Sequence, residues 1–234
     1  MDDIGVMALA LPERDRSDMA TQTWQQRKSI QTRVAILEAA IDCLGVRGYG
    51  RTTTQYIAEM AGISRGAMLH HYATKHELMA SVGGYTLYRR MEAFLVGVRA
   101  LKETDRVAEM AGIEIFWESL KTREFGAYVE LTIAARSDAK LAEVFVPKVR
   151  MYDKVELEQV VRAFPEWTEH PDAYALAMDY CNSALQGLWI NADVWDDADQ
   201  VRLRRFVGKS IRLLLAGELK MPTDFPSTSI PSRF

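Results

Sequence analysis

The chain has 234 residues, 48% of them hydrophobic, and a formal net charge of −3. This length and composition suit one large domain or two smaller ones with a buried core, and the net charge excludes a general polyanion binder. The charge is uneven, because the segment from Arg27 to Ala80 carries a net +3 and the rest of the chain −6. A positive end on an acidic body fits a protein that offers DNA one face, although a difference of this size also lies within ordinary variation.

The N-terminal residues predict a flexible arm over 1–28 rather than a targeting segment. A signal peptide needs a basic start and a small-residue cleavage site, whereas this chain begins with acids. No stretch is long and apolar enough to span a bilayer. Cys43 and Cys181 lie far apart in apolar helical patterns, which indicates buried thiols in a reducing compartment. We therefore expect a cytoplasmic protein without a membrane partner.

The first firm helix is predicted from about Ser29 to Gly45. Its apolar positions recur at helical spacing and form a wide stripe. Three glycines follow and are expected to end the helix and connect it to the next one. The residues of the stripe are Val34, Ile36, Leu37, Ala40, Ile41 and Leu44.

The stretch from Arg51 to Tyr72 predicts two short helices joined by a tight turn. The first begins at Thr53 or Thr54 and ends near Ala61, where Gly62 supplies a left-handed position. Ser64 is a good N-cap for the second helix, because its hydroxyl accepts a free backbone N–H. This is the pattern of a helix-turn-helix, whose second helix lies in the DNA major groove.

The remainder of the chain predicts helices and no strands, so the fold class is all-α. A long helix is expected to begin at Lys75. The Gly83-Gly84 pair weakens this helix and allows a bend. Pro147 is expected to kink or split a later helix. The tail over 221–234 is rich in proline and serine and is predicted to be disordered. The later helices are predicted over 105–121, 124–136, 138–164, 171–192 and 197–217.

Residues 30–80 resemble the N-terminal domain of the tetracycline-repressor (TetR) family of bacterial transcription regulators. The matching signs stand in one register: Ile36-Leu37-x-Ala39-Ala40, Gly48-Tyr49, Thr53-Thr54, Ile57-Ala58, Ala61-Gly62-Ile63-Ser64, Gly66, His71-Tyr72, Lys75 and Leu78. The resemblance implies an N-terminal three-helix DNA-binding domain, placed at 29–76. It also implies a C-terminal helical domain for effector binding and dimerisation, placed at 77–220.

The residue chemistry and the resemblance together predict the DNA contacts. Threonines at a helix N-terminus favour a phosphate, and Arg65 presents a fork that matches the guanine O6/N7 edge. The remaining polar residues are expected to set orientation through phosphates. Because no carboxylate or cysteine stands at ligand spacing, we expect no metal at the three histidines 70, 71 and 76. The predicted contacts are Thr53, Thr54, Ser64, Arg65, Gly66, Leu69, His70, His71 and Lys75.

Two further sites are expected in the C-terminal part. The last two helices offer small and large apolar residues for a dimer interface, with the alternative that both are ordinary core. Aromatic, methionine and polar residues on several helices suggest a pocket for a small apolar effector, although each one singly suits a core position. The interface set is Ala177, Ala184, Gly187, Leu188, Phe206, Val207, Ser210, Ile211 and Leu214. The pocket set is Trp117, Tyr128, Thr132, Met151, Tyr152, Met178, Asn182 and Gln186.

The function favoured by the resemblance is a ligand-responsive repressor that binds a palindromic double-stranded operator as a homodimer and leaves it when the effector binds. The long helix from Lys75 would connect the two sites. An effector-independent DNA-binding regulator or activator remains an alternative. A small helical enzyme is a further one, but no GxSxG, HExxH or phosphate-binding glycine loop is present. We therefore expect neither enzymatic activity nor a cofactor.

Overall fold

The computed structural model describes residues 24–101, 111–163 and 171–219. Within these ranges every regular element is a helix, and no strand occurs, as the all-α prediction requires. None of the described helices combines the length and apolarity that a bilayer span requires. In chain order the helices are α1 (Trp24–Arg51), α2 (Thr54–Met60), α3 (Arg65–His71), α4 (Lys75–Ala100), α5 (Ala111–Leu120), α6 (Arg123–Ala135), α7 (Ala139–Ala163), α8 (Pro171–Ile190) and α9 (Asp197–Leu215).

Side-chain caps set where several helices begin. Thr53, Ser64, Thr122 and Asp196 stand in extended conformation directly before α2, α3, α6 and α9, and each side-chain oxygen accepts a backbone N–H three residues on. Such caps satisfy donors that have no partner inside the helix. The predicted capping of α3 by Ser64 is confirmed.

Helix α1 differs from the expectation at both ends. It begins at Trp24, inside the stretch predicted as a flexible arm, and the structure describes nothing before that residue. Near its end, Gly48 adopts φ +69° and interrupts the helical conformation, so that one further short turn leads to Arg51. Only a residue without Cβ takes this conformation at low cost. The predicted tail over 221–234 also lies outside the described residues.

The described chain divides into two compact units. Unit 1 comprises the described residues up to Glu92 together with Thr122–Asp153. In it α1 packs against α2 and α6. Its core is apolar, with Ile36, Leu37, Ile41 and Leu44 of α1 almost completely buried. The predicted boundary between 76 and 77 falls inside this unit, and the division by function stays a prediction.

The glycine pair of α4 allows close packing against α7, and the bend expected there stays a prediction. Helix α4 is continuous, and a Cβ at Gly83 would collide with the Phe145 ring, while one at Gly84 would lie 3.1 Å from the Tyr152 ring. Both rings belong to α7, one on each side of Pro147. Helix α7 continues through Pro147, so the split that was one of the two expected effects does not occur, and the kink stays a prediction.

Unit 2 comprises the described parts of Ala93–Lys121 and of the chain from Lys154 onward. Here α8 packs against α9, and both contact α5. Val98 and Tyr174 form a buried cluster, against which Phe94, Ile115, Met178 and Leu215 pack. At the edge of the unit, Arg204 donates from Nε to Glu114 at 3.0 Å, and its guanidinium lies 4.9 Å from the centre of the Trp117 ring.

Candidate nucleic-acid interface

The turn between α2 and α3 fixes the angle at which α3 leaves the core. Gly62 adopts φ +66°, and the Ile63 N–H donates to the Ala58 carbonyl at 3.0 Å. Ser64 then caps α3 by accepting the Ala67 N–H at 3.1 Å. These local hydrogen bonds join the two helices into one motif.

Helix α3 buries one side chain and exposes most of the others. Met68 is 1% exposed and anchors the helix in unit 1, whereas Arg65, Gly66 and His70 are exposed and Leu69 is 49% exposed. A short helix held by one apolar residue, with basic and small residues outward, has the shape of a helix that enters a nucleic-acid groove. The described surface leaves the Arg65 guanidinium accessible for a base edge.

The cap residues keep a hydrogen-bond donor for a further partner. The Thr53 hydroxyl accepts the Tyr56 N–H at 3.2 Å, and the Ser64 hydroxyl accepts from Ala67. A hydroxyl has one donor as well as its acceptor lone pairs, so each O–H can still donate to a phosphate oxygen. Both residues are exposed, and Thr54 beside the first of them is half-buried. This arrangement suits the predicted contact with the DNA backbone.

His71 and Lys75 are placed differently from the other predicted contacts. His71 is half-buried, and its Nδ1 accepts from Arg33 Nε at 3.3 Å. Lys75 donates from Nζ to the Tyr49 carbonyl at 2.7 Å and lies over the Tyr49 ring, 3.9 Å from its centre. Burial lowers the pKa of this lysine, and Asp138 opposes that shift. Both side chains therefore hold the motif in place within unit 1, and their contact with DNA stays a prediction.

A polar cluster that sequence reasoning missed lies behind the motif. Asp138, the residue before α7, accepts the Leu141 N–H at 3.0 Å, the Tyr49 hydroxyl at 2.8 Å and His76 Nε2 at 3.2 Å. Its backbone bond from Leu141 and its bond from Tyr49 lower the pKa of this carboxyl to about 2. Glu130 of α6 accepts the Tyr49 N–H at 3.1 Å. The contacts of Tyr49 with Asp138 and Glu130, and of His76 with Asp138, join residues far apart in the chain, and no local pattern signals them.

The predicted interface residues fall into two groups in unit 2. Ala177, Leu188, Val207 and Leu214 are 2–7% exposed, so we reassign them to the core of this unit. They are buried because their helical faces meet neighbouring helices of the same unit. The others are wholly or partly accessible, with Phe206 at 63%, and a Cβ at Gly187 would meet only open space. The accessible group is Ala184, Gly187, Phe206, Ser210 and Ile211.

The predicted pocket residues are divided between the two units. In unit 1, Tyr152 is 2% exposed, whereas Thr132 is exposed and its hydroxyl donates to the Tyr128 carbonyl at 2.9 Å within its own helix. In unit 2, Trp117 is 3% exposed and Met178 packs on the Val98–Tyr174 cluster. Met151, Asn182 and Gln186 are half-buried. Two surface depressions of about 500 and 420 Å³ include none of the eight, so the effector pocket stays a prediction.

The exposed α3, its turn and its capped neighbour define a helix-turn-helix DNA-binding protein. The family model for bacterial regulatory proteins of the tetR family matches residues 36–82. An uncharacterized HTH-type transcriptional regulator of Mycobacterium tuberculosis is 30% identical over 151 residues, which make up 64% of this chain and 76% of that protein. The chain belongs to the tetR family. It is a transcriptional regulator with a helix-turn-helix DNA-binding domain, and not an enzyme.

Other relatives agree with this assignment. AcnR, an HTH-type transcriptional repressor of Corynebacterium diphtheriae, is 27% identical over 134 residues, or 56% of this chain and 64% of AcnR. A TetR family transcription regulator of Marinobacter aquaeolei superposes with a TM-score of 0.58 at 16% identity over 80% of this chain and 98% of its own. The multidrug binding protein EbrR, complexed with imidazole, gives 0.56 at 15% identity over 82% and 92%. At these identities the two structures support the fold alone.

Proposed function

We propose that the protein is a repressor that binds a palindromic operator as a homodimer and leaves it when a small apolar effector binds. The observation that carries the DNA-binding part is the outward face of α3, with Met68 buried and Arg65 exposed. Repression is supported by the relative AcnR, which is named a transcriptional repressor, and effector binding by the fold neighbour EbrR, which is named a multidrug binding protein. A cytoplasmic location follows from the access to DNA that this function requires.

Dimerisation supports operator recognition for a geometric reason. One recognition helix covers a half-site, and a two-fold pair of subunits reads two half-sites of a palindrome. The accessible face of α8 and α9 in unit 2 provides apolar surface for such a pair, with Phe206 exposed and open space at Gly187. A contiguous exposed apolar patch is typical of a surface that a second subunit covers, and the proposal makes Phe206 part of such a patch.

Effector release requires a difference in affinity between two conformations. An effector lowers DNA affinity only as far as it prefers the conformation that binds DNA less well. In the sequence, α4 continues from the helix-turn-helix region of unit 1 into unit 2, which gives the chain a continuous connection for such coupling. We keep the proposed division into a DNA-binding domain at 29–76 and an effector and dimer domain at 77–220.

One observation favours an effector-independent regulator instead. Trp117 and Tyr152, two of the aromatic residues expected to line a pocket, are buried among neighbours of their own units. A thermal-shift screen with apolar and aromatic compounds separates the two functions. A compound that raises Tm and also releases DNA supports the sensor; DNA release by no compound in the screen would favour the effector-independent regulator.

The test of DNA recognition is a band-shift assay with the DNA upstream of the protein's own gene. We expect a shifted band. An unlabelled copy of the same DNA should compete the band away, whereas an unlabelled duplex with one scrambled half-site should compete poorly. A matched variant, Arg65→Ala, should lose the preference between these competitors. Equal competition by both duplexes with the wild-type chain would contradict sequence-specific binding to a palindrome.

A further inference from the structure

The first two turns of α1 carry a positively charged face in solvent. Trp24, Arg27, Lys28 and Gln31 are exposed, Trp24 at 68%, and we call these four residues the α1 basic face. The sequence has no acidic residue between Trp24 and Leu37, so no carboxylate of this helical segment offsets the two cations. A cationic surface with no acid on its own helical segment favours an anionic partner.

The core packing of α1 fixes the direction in which this face points. On the opposite side of the same helix, Ile30 is 8% exposed and Arg33 is 3% exposed. Residues three and four apart share a face of a helix, so burial of one side determines the exposure of the other. The α1 basic face therefore has a defined orientation within unit 1.

A direct contact places this part of α1 beside the recognition helix. Arg33 donates from Nε to Nδ1 of His71, the last residue of α3, at 3.3 Å. With a rise of about 1.5 Å per residue, Lys28 lies about 8 Å and Trp24 about 14 Å along the axis from Arg33. The major groove is about 12 Å wide. Along α1, the distance from the contact with α3 to the α1 basic face is therefore comparable with the width of the groove.

The aromatic residue holds one of the cations in place. Lys28 Nζ lies 5.2 Å from the centre of the Trp24 ring, and the Thr32 hydroxyl donates to the Lys28 carbonyl at 3.0 Å. A lysine held over an indole loses less conformational freedom when it meets a phosphate than one that moves freely. The indole N–H is a second donor for a phosphate oxygen.

We propose that the α1 basic face binds backbone phosphates of the duplex beside the groove that α3 occupies. The inference rests on the docking of α3 proposed above and adds two charged contacts per subunit, Arg27 and Lys28. These contacts carry no base preference, because phosphates are the same at every position. They raise affinity and fix how the helix-turn-helix lies on the duplex.

The test is the salt dependence of DNA binding by the full chain. The probe is a duplex selected by the wild-type protein from a random-sequence pool. Each phosphate contact contributes about 0.9 to the slope of log K against log salt concentration. We expect the double variant R27Q/K28Q to reduce the magnitude of this negative slope by up to about 1.8 per bound subunit. It should also bind at least tenfold more weakly at low salt. The matched control R99Q/R150Q removes two exposed cations elsewhere and should keep the wild-type slope.

Hydroxyl-radical footprinting shows where the lost contacts lie. We expect R27Q/K28Q to lose protection of the sugar-phosphate backbone beside each half-site while guanine protection by α3 remains. A slope equal to that of the wild type, or an equal fall in the control, would overturn the proposal. So would unchanged DNA binding by R27Q/K28Q together with loss of binding to vesicles containing phosphatidylserine, which would assign the face to a lipid surface.

The two proposals fail in different ways. Arg65→Ala tests the docking of α3, because it removes base selectivity and leaves the phosphate contacts of α1 in place. If the wild-type chain shows no selectivity but R27Q/K28Q still reduces the salt dependence on random-sequence DNA, base reading by α3 fails and the phosphate contact of α1 stands. If selectivity is present and the slope is unchanged, the α1 proposal fails alone.

Discussion

The Tyr49 hydroxyl donates to Oδ2 of Asp138 at 2.8 Å and joins the end of α1 to the residue that precedes α7. Burial raises the pKa of the tyrosine, and the bond to Asp138 raises it further. The same carboxylate accepts from His76 at the start of α4, and Lys75 beside it donates to the Tyr49 carbonyl. One carboxylate thus holds three elements that position the helix-turn-helix within unit 1.

The Asp138 carboxylate predicts a loss of stability in acid. Its pKa is lowered from an ordinary 3.8 to about 2 in the folded state, so the stability that it contributes is complete above about pH 4 and is lost as the pH falls through 2. Asp138→Asn should lower the free energy of unfolding at neutral pH. We expect the difference from the wild type to shrink between pH 4 and pH 2, measured by urea unfolding. Glu143→Gln, at an exposed position of α7, is the control; a pH-independent difference for Asp138→Asn would contradict this account.

Removal of the Arg65 side chain should relax base preference. A bidentate contact to guanine discriminates against a wrong base by about 1–3 kcal/mol, so Arg65→Ala is expected to lower selectivity by about fivefold to about 150-fold. The measurement compares affinities for the selected duplex and for duplexes with single base changes. Arg136→Ala, exposed at the end of α6, should keep the wild-type pattern. Equal loss of affinity on every duplex would identify Arg65 as a phosphate contact instead.

A charge at Phe206 should separate the subunits. This ring is 63% exposed on α9, and burial of a carboxylate in an apolar interface is unfavourable. If the ring is a central contact, Phe206→Glu should weaken dimerisation by about 2 kcal/mol or more, on the order of thirtyfold. Sedimentation equilibrium gives the dissociation constant. Val46→Glu introduces the same charge at an exposed apolar site of α1, and an equal effect of both variants would count against the proposed interface.

Added volume at Gly83 should destabilise unit 1. A methyl group there meets the Phe145 ring, and overpacking of a well-packed contact costs about 1–3 kcal/mol. Gly83→Ala is therefore expected to lower the free energy of unfolding by that amount. Gly45→Ala in α1, where a Cβ meets nothing, should instead stabilise by about 0.4–1 kcal/mol because alanine favours a helix. The two variants make the same chemical change, so an equal loss of stability in both would contradict the packing argument.

The all-α class, the positions of most helices and the helix-turn-helix are predictable from the amino-acid sequence. These depend on interactions over three or four residues: hydroxyl caps such as Ser64, the left-handed Gly62, and apolar residues at helical spacing. Such signals are present before the chain packs. For the same reason the short exposed helix that carries Arg65 was predictable from its own residues and its turn.

The contacts between side chains of distant helices depend on tertiary packing. The bonds from Asp138 to His76 and to Tyr49 span 62 and 89 residues, and no local pattern encodes such pairs. Packing likewise engaged Lys75 with Tyr49, buried Val207 and Leu214 in the core of unit 2, and gave Gly83 a role in contact with α7. Periodicity shows that a helix has an apolar face, but which neighbour covers that face depends on the arrangement of all the helices.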